Sequence, residues 1–370
     1  MSRLSARPSS AFRWGIIGAG YAARKFVLGL RASDGGAPSL VCSRTEANAR
    51  AFARDFGIAE VRLSVEDAAR SPHVDALYIA TPPSAHRSQA IACLAAGKAV
   101  LIEKPFAASR ADAMAIAEAA RSSGVFCMEG MWTRFLPLVG ELRAMIRAGA
   151  IGMPRSFCGS FGAPNPPDPN ESLFNPDLAG GALLHRGIYP VALAFDLMGE
   201  AELAAAAARK GSTGVDEDCV LVLRHGNGAL STVRASLRAA LANDMTIEGD
   251  HGTIHVHAPI FRPFRLIVNR TRPASRGKGG NLRLEKLREG AFAQAAQQRF
   301  SGLATALRSG GRRTITRAYA GNGYHYEADE VMRCVQRGET ESASMPLAES
   351  VAMAALIDEA RSSWAGQRLD

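Results

Sequence analysis

The sequence predicts an α/β protein in which a doubly wound parallel sheet is followed by a second α/β domain with a mostly antiparallel open sheet. Three observations support this fold class. In the first third of the chain, short apolar runs alternate with amphipathic helical stretches, and a glycine-rich turn follows the first run. In the second half, hairpin turns separate the apolar runs. The length of 370 residues fits two domains or one large one.

The composition is typical of a globular protein of the cytoplasm, with 47% hydrophobic and 21% charged residues. Six cysteines are scattered without a CxxC pair, so we expect free thiols in a reducing compartment and no metal site. No apolar run reaches transmembrane length, and residues 1–13 lack the apolar centre of a secretory signal. We therefore expect a cytoplasmic protein with a flexible tail over residues 1–12 and no membrane partner.

The net charge of +9 is concentrated in one segment. Residues 270–317 contain twelve Lys or Arg and two acids, which leaves the rest of the chain close to neutral. A protein that binds nucleic acid presents a basic face spread over its fold. This Gly-, Ser- and Arg-rich segment is instead typical of a solvated loop or a subunit-contact insertion, so we do not expect a nucleic-acid partner.

A dinucleotide-binding turn is predicted directly after the first strand. The apolar run 12–17 continues into residues 18–23, Gly-Ala-Gly-Tyr-Ala-Ala, which match the pattern GxGxxA. Gly18 permits the tight turn, Gly20 lets the backbone approach a pyrophosphate, and Ala23 lets the next helix pack closely. The first amides of that helix would face the phosphates. The residues expected to contact the dinucleotide here are Gly18, Gly20, Tyr21 and Ala22.

The end of the second strand bears on which dinucleotide is bound. Residues 39–42 are followed by Ser43-Arg44-Thr45 rather than by the acid that would bond the ribose 2′-hydroxyl of NAD. Ser43 can donate its hydroxyl, and Arg44 its planar guanidinium, to a 2′-phosphate. The sequence therefore predicts NADP as the cofactor in preference to NAD.

The alternation of strands and helices continues to residue 131. The strand 76–80 ends in Thr81-Pro82-Pro83, and the strand 99–103 is followed by Lys104-Pro105. Parallel strands place such residues together at one edge of the sheet, where open α/β sheets bind their ligands. We expect the dinucleotide-binding domain to span residues 13–131. Its further crevice residues are Thr81, Pro82, Glu103 and Lys104.

Helix boundaries in this part of the chain are predicted from capping residues. Thr45, Ser64 and Ser109 are expected to cap helices, and Gly57 to end one.

The second half reads as a series of hairpins. Apolar strands flank the turns 225–228 and 249–252, and a further strand is expected at 155–161. Consecutive hairpins pair in antiparallel fashion and leave one face that could form a dimer interface. We expect residues 132–370 to form a substrate-binding domain that also makes a homodimer or a higher homo-oligomer.

One helix of this domain carries candidate crevice residues. A helix is predicted over residues 180–198, in which His185 and Tyr189 are four residues apart and therefore share a face. Pro190 lacks an amide proton and should kink the helix where Tyr189 projects. From the residues alone, Tyr189 is either a functional tyrosine or a core tyrosine with a satisfied hydroxyl.

Several motifs together resemble the Gfo/Idh/MocA oxidoreductase family. They are GAGYAA, IATPP followed by His86, AAGKAVLIEKP and MEGMWTRFLP. Within the family, EGMWTRFLP, GVDED and GYHYEADEVMRCVQRGETES resemble the branch of dimeric dihydrodiol dehydrogenases and NADP-dependent D-xylose dehydrogenases. The resemblance covers nearly the whole chain. It implies a Rossmann domain, a second domain on a predominantly antiparallel sheet, and hydride transfer between NADP and a sugar or vicinal diol.

The resemblance also implies roles for individual residues. Tyr189 matches a family acid or base, and Lys104 would polarise the substrate oxygen. His86 matches a position near the nicotinamide and is expected to be a catalytic and cofactor-binding residue; the alternative is an exposed histidine at the start of a helix. We expect burial and mutual proximity to bring the pKa of Tyr189 or Lys104 down toward neutrality. Trp132 and Arg134 either wall the crevice as substrate-binding residues or form a buried hinge between the domains.

His185 departs from the family pattern, which has an aspartate at this position. An aspartate would bind substrate hydroxyls and stabilise a charged Lys104, whereas a histidine accepts hydrogen bonds only when neutral. We expect His185 to be a substrate-binding residue, either for a different substrate or in a protein that has lost the ordinary activity; the alternative is a surface histidine without a function. Two alternatives remain at this point: a dinucleotide-sensing protein without turnover, and an oxidoreductase whose tightly bound NADP is recycled in place.

Overall fold

The computed structural model describes residues 11–271 and 309–364, together with Arg299. Most of the predicted flexible tail and most of the basic segment 270–317 lie outside the described residues. The last part of that segment is described and differs from the expected loop, because Ser309–Thr316 forms a strand paired with Arg265–Thr271.

The first domain is a parallel sheet of six strands among the described residues, as predicted. Its strands are β1 (Phe12–Ile17), β2 (Gly36–Cys42), β3 (Glu60–Arg62), β4 (Ala76–Ile79), β5 (Ala99–Glu103) and β6 (Cys127–Gly130). They lie in the order β3-β2-β1-β4-β5-β6, with parallel neighbours throughout. The strand order reverses between β1 and β4, so the crevice for a ligand opens at their carboxyl ends.

Helices flank this sheet, and local sequence explains where several of them begin and end. They are α1 (Tyr21–Leu30), α2 (Glu46–Phe56), α3 (Val65–Arg70), α4 (His86–Ala95) and α5 (Arg110–Ser123). Ser64 and Ser109 cap α3 and α5 as predicted, because each hydroxyl accepts a backbone hydrogen bond at 3.1 Å. Gly57 ends α2 with φ of 68°. Thr45 precedes α2 without a capping hydrogen bond from its side chain.

The second domain is a predominantly antiparallel sheet, also as predicted. Its eight described strands are β7 (Pro154–Gly162), β8 (Ala201–Lys210), β9 (Asp216–His225), β10 (Leu230–Ser236), β11 (Met245–Gly249), β12 (Gly252–Val256), β13 (Arg265–Thr271) and β14 (Ser309–Thr316). Their order is β14-β13-β12-β11-β7-β10-β9-β8, in which the β7–β10 pair is parallel. Helix α6 (Pro137–Arg147) connects the two domains.

The helix expected over residues 180–198 is present, with every residue from 182 to 198 helical, but it begins with a wider turn. A short 3₁₀ turn at Pro176–Leu178 is followed by a π-helical turn at Leu183–Gly187 and by helix α7 (Ile188–Met198). Pro190 lacks the amide that would bond one turn back, and the wider turn lies directly before it. Asp216 accepts a hydrogen bond from the Leu183 amide at 2.7 Å and so caps this start. His185 and Tyr189 therefore lie on either side of the junction.

One stretch of the described chain, Pro176–Met198, is long and apolar enough to cross a membrane. Within its most apolar window, 89% of the residues are buried inside the protein. This is the environment of a core helix.

Two C-terminal helices return to the first domain. They are α8 (His325–Gln336) and α9 (Leu347–Ser363). The side-chain amide of Asn322 donates to Lys25 O at 2.7 Å, and the backbone amide of Arg110 donates to Asp358 Oδ2 at 2.6 Å. Leu347 belongs to the same core cluster as Ile102. The expected division at residues 131 and 132 therefore marks a change of sheet but does not separate the chain in space.

Candidate functional site

The GxGxxA turn forms one wall of a cleft of about 210 Å³ at the carboxyl ends of β1, β2 and β4. Gly18 has φ of +105°, and a Cβ on it would lie 2.7 Å from Ala80 O, so the fold itself requires glycine. A Cβ on Gly20 would meet no atom within 4 Å. The open space at Gly20 fits a pyrophosphate approaching the backbone. The predicted residues that line this cleft are Gly18, Gly20, Ser43, Arg44, Thr81 and Pro82.

The other two residues predicted in this turn occupy the start of α1. Tyr21 is 76% exposed, with Lys25 Nζ 5.2 Å from the centre of its ring. Tyr21 and Ala22 are predicted to contact the dinucleotide through their backbone amides, and this contact stays a prediction.

Arg44 lies exposed at the edge of the cleft. Among the described residues, no carboxylate forms an ion pair with it. Its guanidinium is therefore available to a ligand anion, and the residues present fit a dinucleotide with a phosphate at this end.

Lys104 and Tyr189 are brought together from the two domains. Lys104 follows β5, and its Nζ lies 4.9 Å from the centre of the Tyr189 ring. The same Nζ donates to His185 O at 3.3 Å. Trp132 Nε1 donates to the Tyr189 hydroxyl at 3.4 Å from behind. An ammonium, a phenol and an indole donor thus meet at the junction of β5 and the π-helical turn.

The charge state of Tyr189 differs from expectation. Burial raises the pKa of its hydroxyl above the usual value of 10.0, and the nearby Lys104 ammonium lowers it by less than burial raises it. The expected shift of the Tyr189 pKa toward neutrality is therefore wrong for this structure. The Tyr189 hydroxyl therefore carries its proton at neutral pH.

His185 is neutral at physiological pH. Burial, and then the charge of Lys104, lower the pKa of its imidazole to about 3. The ring also makes a hydrogen bond to the backbone of Ala179. Its Nε2 is buried and has no partner among the described residues. A role in substrate binding stays a prediction for His185.

His86 does not reach the crevice. Its side chain is fully buried, with Nε2 2.9 Å from Thr81 O and Nδ1 3.1 Å from Pro105 O. Both ring nitrogens face backbone carbonyls, so neither is left to exchange a proton with a substrate or to contact a cofactor. The predicted catalytic and cofactor-binding role of His86 is therefore wrong, and the imidazole instead joins the Thr81 loop to the loop after Lys104.

Arg134 is also buried away from the crevice. Only 1% exposed, it donates to Ala192 O at 2.8 Å and to Ser344 O at 3.3 Å, and it pairs with the Glu349 carboxylate. Because protein groups occupy the guanidinium, the contacts of Arg134 contradict the predicted substrate-binding role. The alternative, a buried hinge between the domains, stays a prediction. Trp132 stays a predicted crevice wall, packed behind Tyr189.

The carboxyl of Glu103 points into the protein rather than toward the dinucleotide cleft. Tyr78 donates its hydroxyl to Glu103 Oε1 at 2.9 Å, and the residue is 5% exposed. A contact between this carboxylate and the cofactor is thus contradicted. Two neighbours, Tyr324 and Glu327, were not predicted as site residues, although both lie in the quoted motif GYHYEADEV.

Comparison with known proteins decides the family. Residues 12–131 match the family model described as an oxidoreductase family with an NAD-binding Rossmann fold, and residues 139–255 match the corresponding C-terminal domain. Together the two models match more than half of the chain. The chain belongs to the Gfo/Idh/MocA oxidoreductase family. The predicted resemblance is confirmed.

Curated relatives within this family match over nearly their whole length. The trans-1,2-dihydrobenzene-1,2-diol dehydrogenase of Mus musculus is 32% identical over 359 residues, 95% of this chain and 96% of the relative. The enzyme of the same name from Danio rerio is 32% identical over 357 residues, with the same coverage. This Gfo/Idh/MocA protein is therefore an NAD(P)-dependent dehydrogenase.

Solved structures of the family share the fold. A 3-ketoreductase from Actinomadura kijaniata in complex with NADP and TDP-benzene has a TM-score of 0.77 at 23% identity, covering 95% of this chain and 98% of that one. Levoglucosan dehydrogenase in complex with NADH and levoglucosan has a TM-score of 0.78 at 22% identity, with the same coverage. At these identities the similarity establishes the fold alone.

Proposed function

We propose that this protein is an NADP-dependent dehydrogenase that transfers a hydride between the carbinol carbon of a sugar or vicinal diol and the nicotinamide. The observation that carries the proposal is the Lys104 ammonium, 4.9 Å from the ring of Tyr189. Lys104 follows β5, the neighbour of β4, and residues after β4 line the dinucleotide cleft. His86 bridges the Thr81 loop of that cleft and the loop after Lys104. The names of the curated relatives support a diol as one substrate class.

The chemistry needs a proton donor and a charge partner at one substrate oxygen. When bound, the nicotinamide supplies the position that accepts or releases the hydride. Tyr189 gives its proton to the substrate oxygen during carbonyl reduction and removes it during alcohol oxidation. Lys104 stabilises the negative charge that develops on that oxygen. His185 Nε2, neutral and without a partner, accepts a hydrogen bond from a second substrate hydroxyl.

The preference for NADP rests on the end of β2. Arg44 and Ser43 line the cleft where an acid would repel a 2′-phosphate. Solved relatives with either NADP or NADH exist, so the choice depends on these side chains rather than on the fold.

A homodimer through the C-terminal sheet is part of the proposal. Val220 is 40% exposed and Leu230 48% exposed, and Cys158 is exposed nearby in the sheet. The face opposite α7 therefore offers apolar surface to a second copy. We expect analytical ultracentrifugation to show a dimer that Val220→Arg weakens.

The experiment that tests the function is a fluorescence titration with NADPH and NADH, followed by a panel of sugars and diols with nicotinamide absorbance as the readout. We expect tighter binding of NADPH and turnover of at least one polyol. Stronger binding of NADH would contradict the role of Arg44. Binding without turnover would favour the dinucleotide sensor, and cofactor that co-purifies and never exchanges would favour the self-recycling oxidoreductase.

A further inference from the structure

A group of buried titratable side chains lies behind Lys104, where the proposed mechanism does not use them. Tyr78 of β4 and Glu103 of β5 are joined by the 2.9 Å hydrogen bond described above. Tyr324, just before α8, approaches the same Glu103 carboxyl. Glu327 of α8 completes the group and is 0% exposed.

Glu327 is the unusual member, because neither of its carboxyl oxygens has a hydrogen-bond partner among the described residues. Its carboxyl lies against Gly130, the register partner of Glu103 in the neighbouring strand β6. A Cβ on Gly130 would lie 3.3 Å from Glu327 Oε2 and 3.5 Å from Glu103 Cα. The absence of a side chain at residue 130 thus leaves room for the Glu327 carboxyl beside the backbone of Glu103.

Two carboxylates in one buried site cannot both be charged without a large electrostatic cost. The two residues have unequal support for a negative charge. Burial raises the pKa of Glu103 above its usual value, but the Lys104 ammonium and the Tyr78 hydrogen bond oppose that rise and favour its ionised form. Glu327 has no such donor, and its pKa is raised well above its usual value by burial and then by the charge of Glu103. The proton of the pair therefore resides on Glu327.

The group is connected to the proposed reaction centre on both sides. Lys104 follows Glu103 directly and reaches Tyr189. Tyr324 stacks on Trp132 with ring centres 4.8 Å apart, and Trp132 donates to the Tyr189 hydroxyl. The charge shared by Glu103 and Glu327 therefore lies close to Lys104 and Tyr189, the two residues proposed to act on the substrate oxygen.

We propose that Glu327 is a positioning residue, a buried neutral acid that leaves Glu103 as the single carboxylate behind Lys104 and so keeps the Lys104 ammonium against Tyr189. This inference rests on the proposed function for its link to Lys104. The neutral state of Glu327 itself does not depend on turnover.

The neutral acid is tested by infrared difference spectroscopy between the wild-type protein and Glu327→Gln at about pH 8. We expect a carboxylic-acid C=O band in the wild type that shifts in deuterated buffer and is missing from the variant. Absence of this band from the difference spectrum would mean that Glu327 is ionised, which overturns the proposal. Glu359→Gln, an exposed carboxyl on α9, is the matched control and should leave the band in place.

The pH dependence of stability gives a second, independent test. A group whose pKa is raised in the folded state makes folding less favourable as the pH rises above its unfolded value, 4.5 for Glu327. The Tm of Glu327→Gln minus that of the wild type should therefore become more positive between about pH 5 and about pH 8. A difference that is constant, or that becomes more negative, would overturn the proposal.

The link to the reaction centre is tested by kinetics. Glu327→Gln cannot ionise, so the fall in kcat/KM at alkaline pH should occur at a higher pH in this variant than in the wild type. Glu103→Gln removes the counter-charge and should lower kcat by about tenfold with little change in NADPH affinity. Full activity in Glu103→Gln would overturn the link. A wild-type protein without any turnover would instead contradict the proposed function, while the infrared and stability results would still decide the state of Glu327.

Discussion

Tyr189 is the residue on which the proposed chemistry depends most directly. Its hydroxyl accepts a hydrogen bond from the Trp132 indole, and the Lys104 ammonium lies over its ring. Removal of the hydroxyl in Tyr189→Phe should lower kcat by about 100-fold or more, because a positioned proton donor contributes at least that much. NADPH affinity, measured by fluorescence, should remain near wild type. Tyr326→Phe, a tyrosine on α8 outside this contact, should keep its rate; equal rates in all three proteins would remove Tyr189 from the mechanism.

The protonation of Tyr189 predicts opposite pH dependences for the two directions of reaction. Since burial raises its pKa above 10.0, the proton needed for carbonyl reduction is present at neutral pH. Alcohol oxidation needs the deprotonated form and should accelerate as the pH rises from about 6 to about 10. The measurement is kcat/KM in both directions across this range. Oxidation that is fastest at acidic pH would contradict Tyr189 as the proton acceptor.

Arg44 controls the proposed choice of cofactor. A charge-assisted hydrogen bond to a phosphate is worth about 1.5–3 kcal/mol, so Arg44→Ala should weaken NADPH binding by about 10- to 100-fold. Binding of NADH should change little, because it lacks the 2′-phosphate. Parallel titrations with both dinucleotides give the ratio, and an equal loss for both would indicate a general rather than a phosphate-specific role.

At the scale of elements, the two glycines in the turn between β1 and α1 have different roles, one in folding and one in dinucleotide binding. Gly18 is required by its φ of +105° and by the Ala80 carbonyl, whereas a Cβ on Gly20 would meet nothing in the chain. Gly18→Ala should therefore reduce the free energy of unfolding by about 1–3 kcal/mol. Gly20→Ala should keep wild-type stability and lose dinucleotide affinity. Urea unfolding and NADPH titration of the two variants form a matched pair, and intact binding in Gly20→Ala would contradict the cleft assignment.

Elements whose boundaries depend on local chemistry could be predicted from the sequence. Ser64 and Ser109 cap helices because each hydroxyl accepts a hydrogen bond from the backbone amide three residues later in the chain. That spacing is visible in the sequence alone. The position of His86 could not be predicted, because burial between the Thr81 and Pro105 carbonyls depends on how two loops pack. Tyr324 and Glu327 were missed for the same reason, since some 220 residues separate them from Glu103 in the chain.

At the scale of the whole molecule, Arg134 ties the two domains to the C-terminal helix α9. Arg134→Met removes one partner of a buried ion pair and leaves Glu349 and the Ala192 carbonyl without their donor. The free energy of unfolding should fall by about 3 kcal/mol or more. The exposed pair Arg121–Glu118 provides the control, and Arg121→Met should change stability by less than about 1 kcal/mol. Unchanged stability together with a raised substrate KM would restore a binding role for Arg134.

The return of α8 and α9 to the first domain also affects how the protein folds while the ribosome synthesises it. The parallel sheet is complete once residue 130 has emerged, yet the helices that pack against α1 and α5 follow some 200 residues later. At about 5–20 residues per second, that delay is on the order of ten seconds or more. Throughout it, the apolar side chains that will meet Leu347 are uncovered on the nascent chain. A chaperone therefore has exposed apolar side chains to bind during this delay. The delay ends when α9 has been synthesised and packs on the first domain.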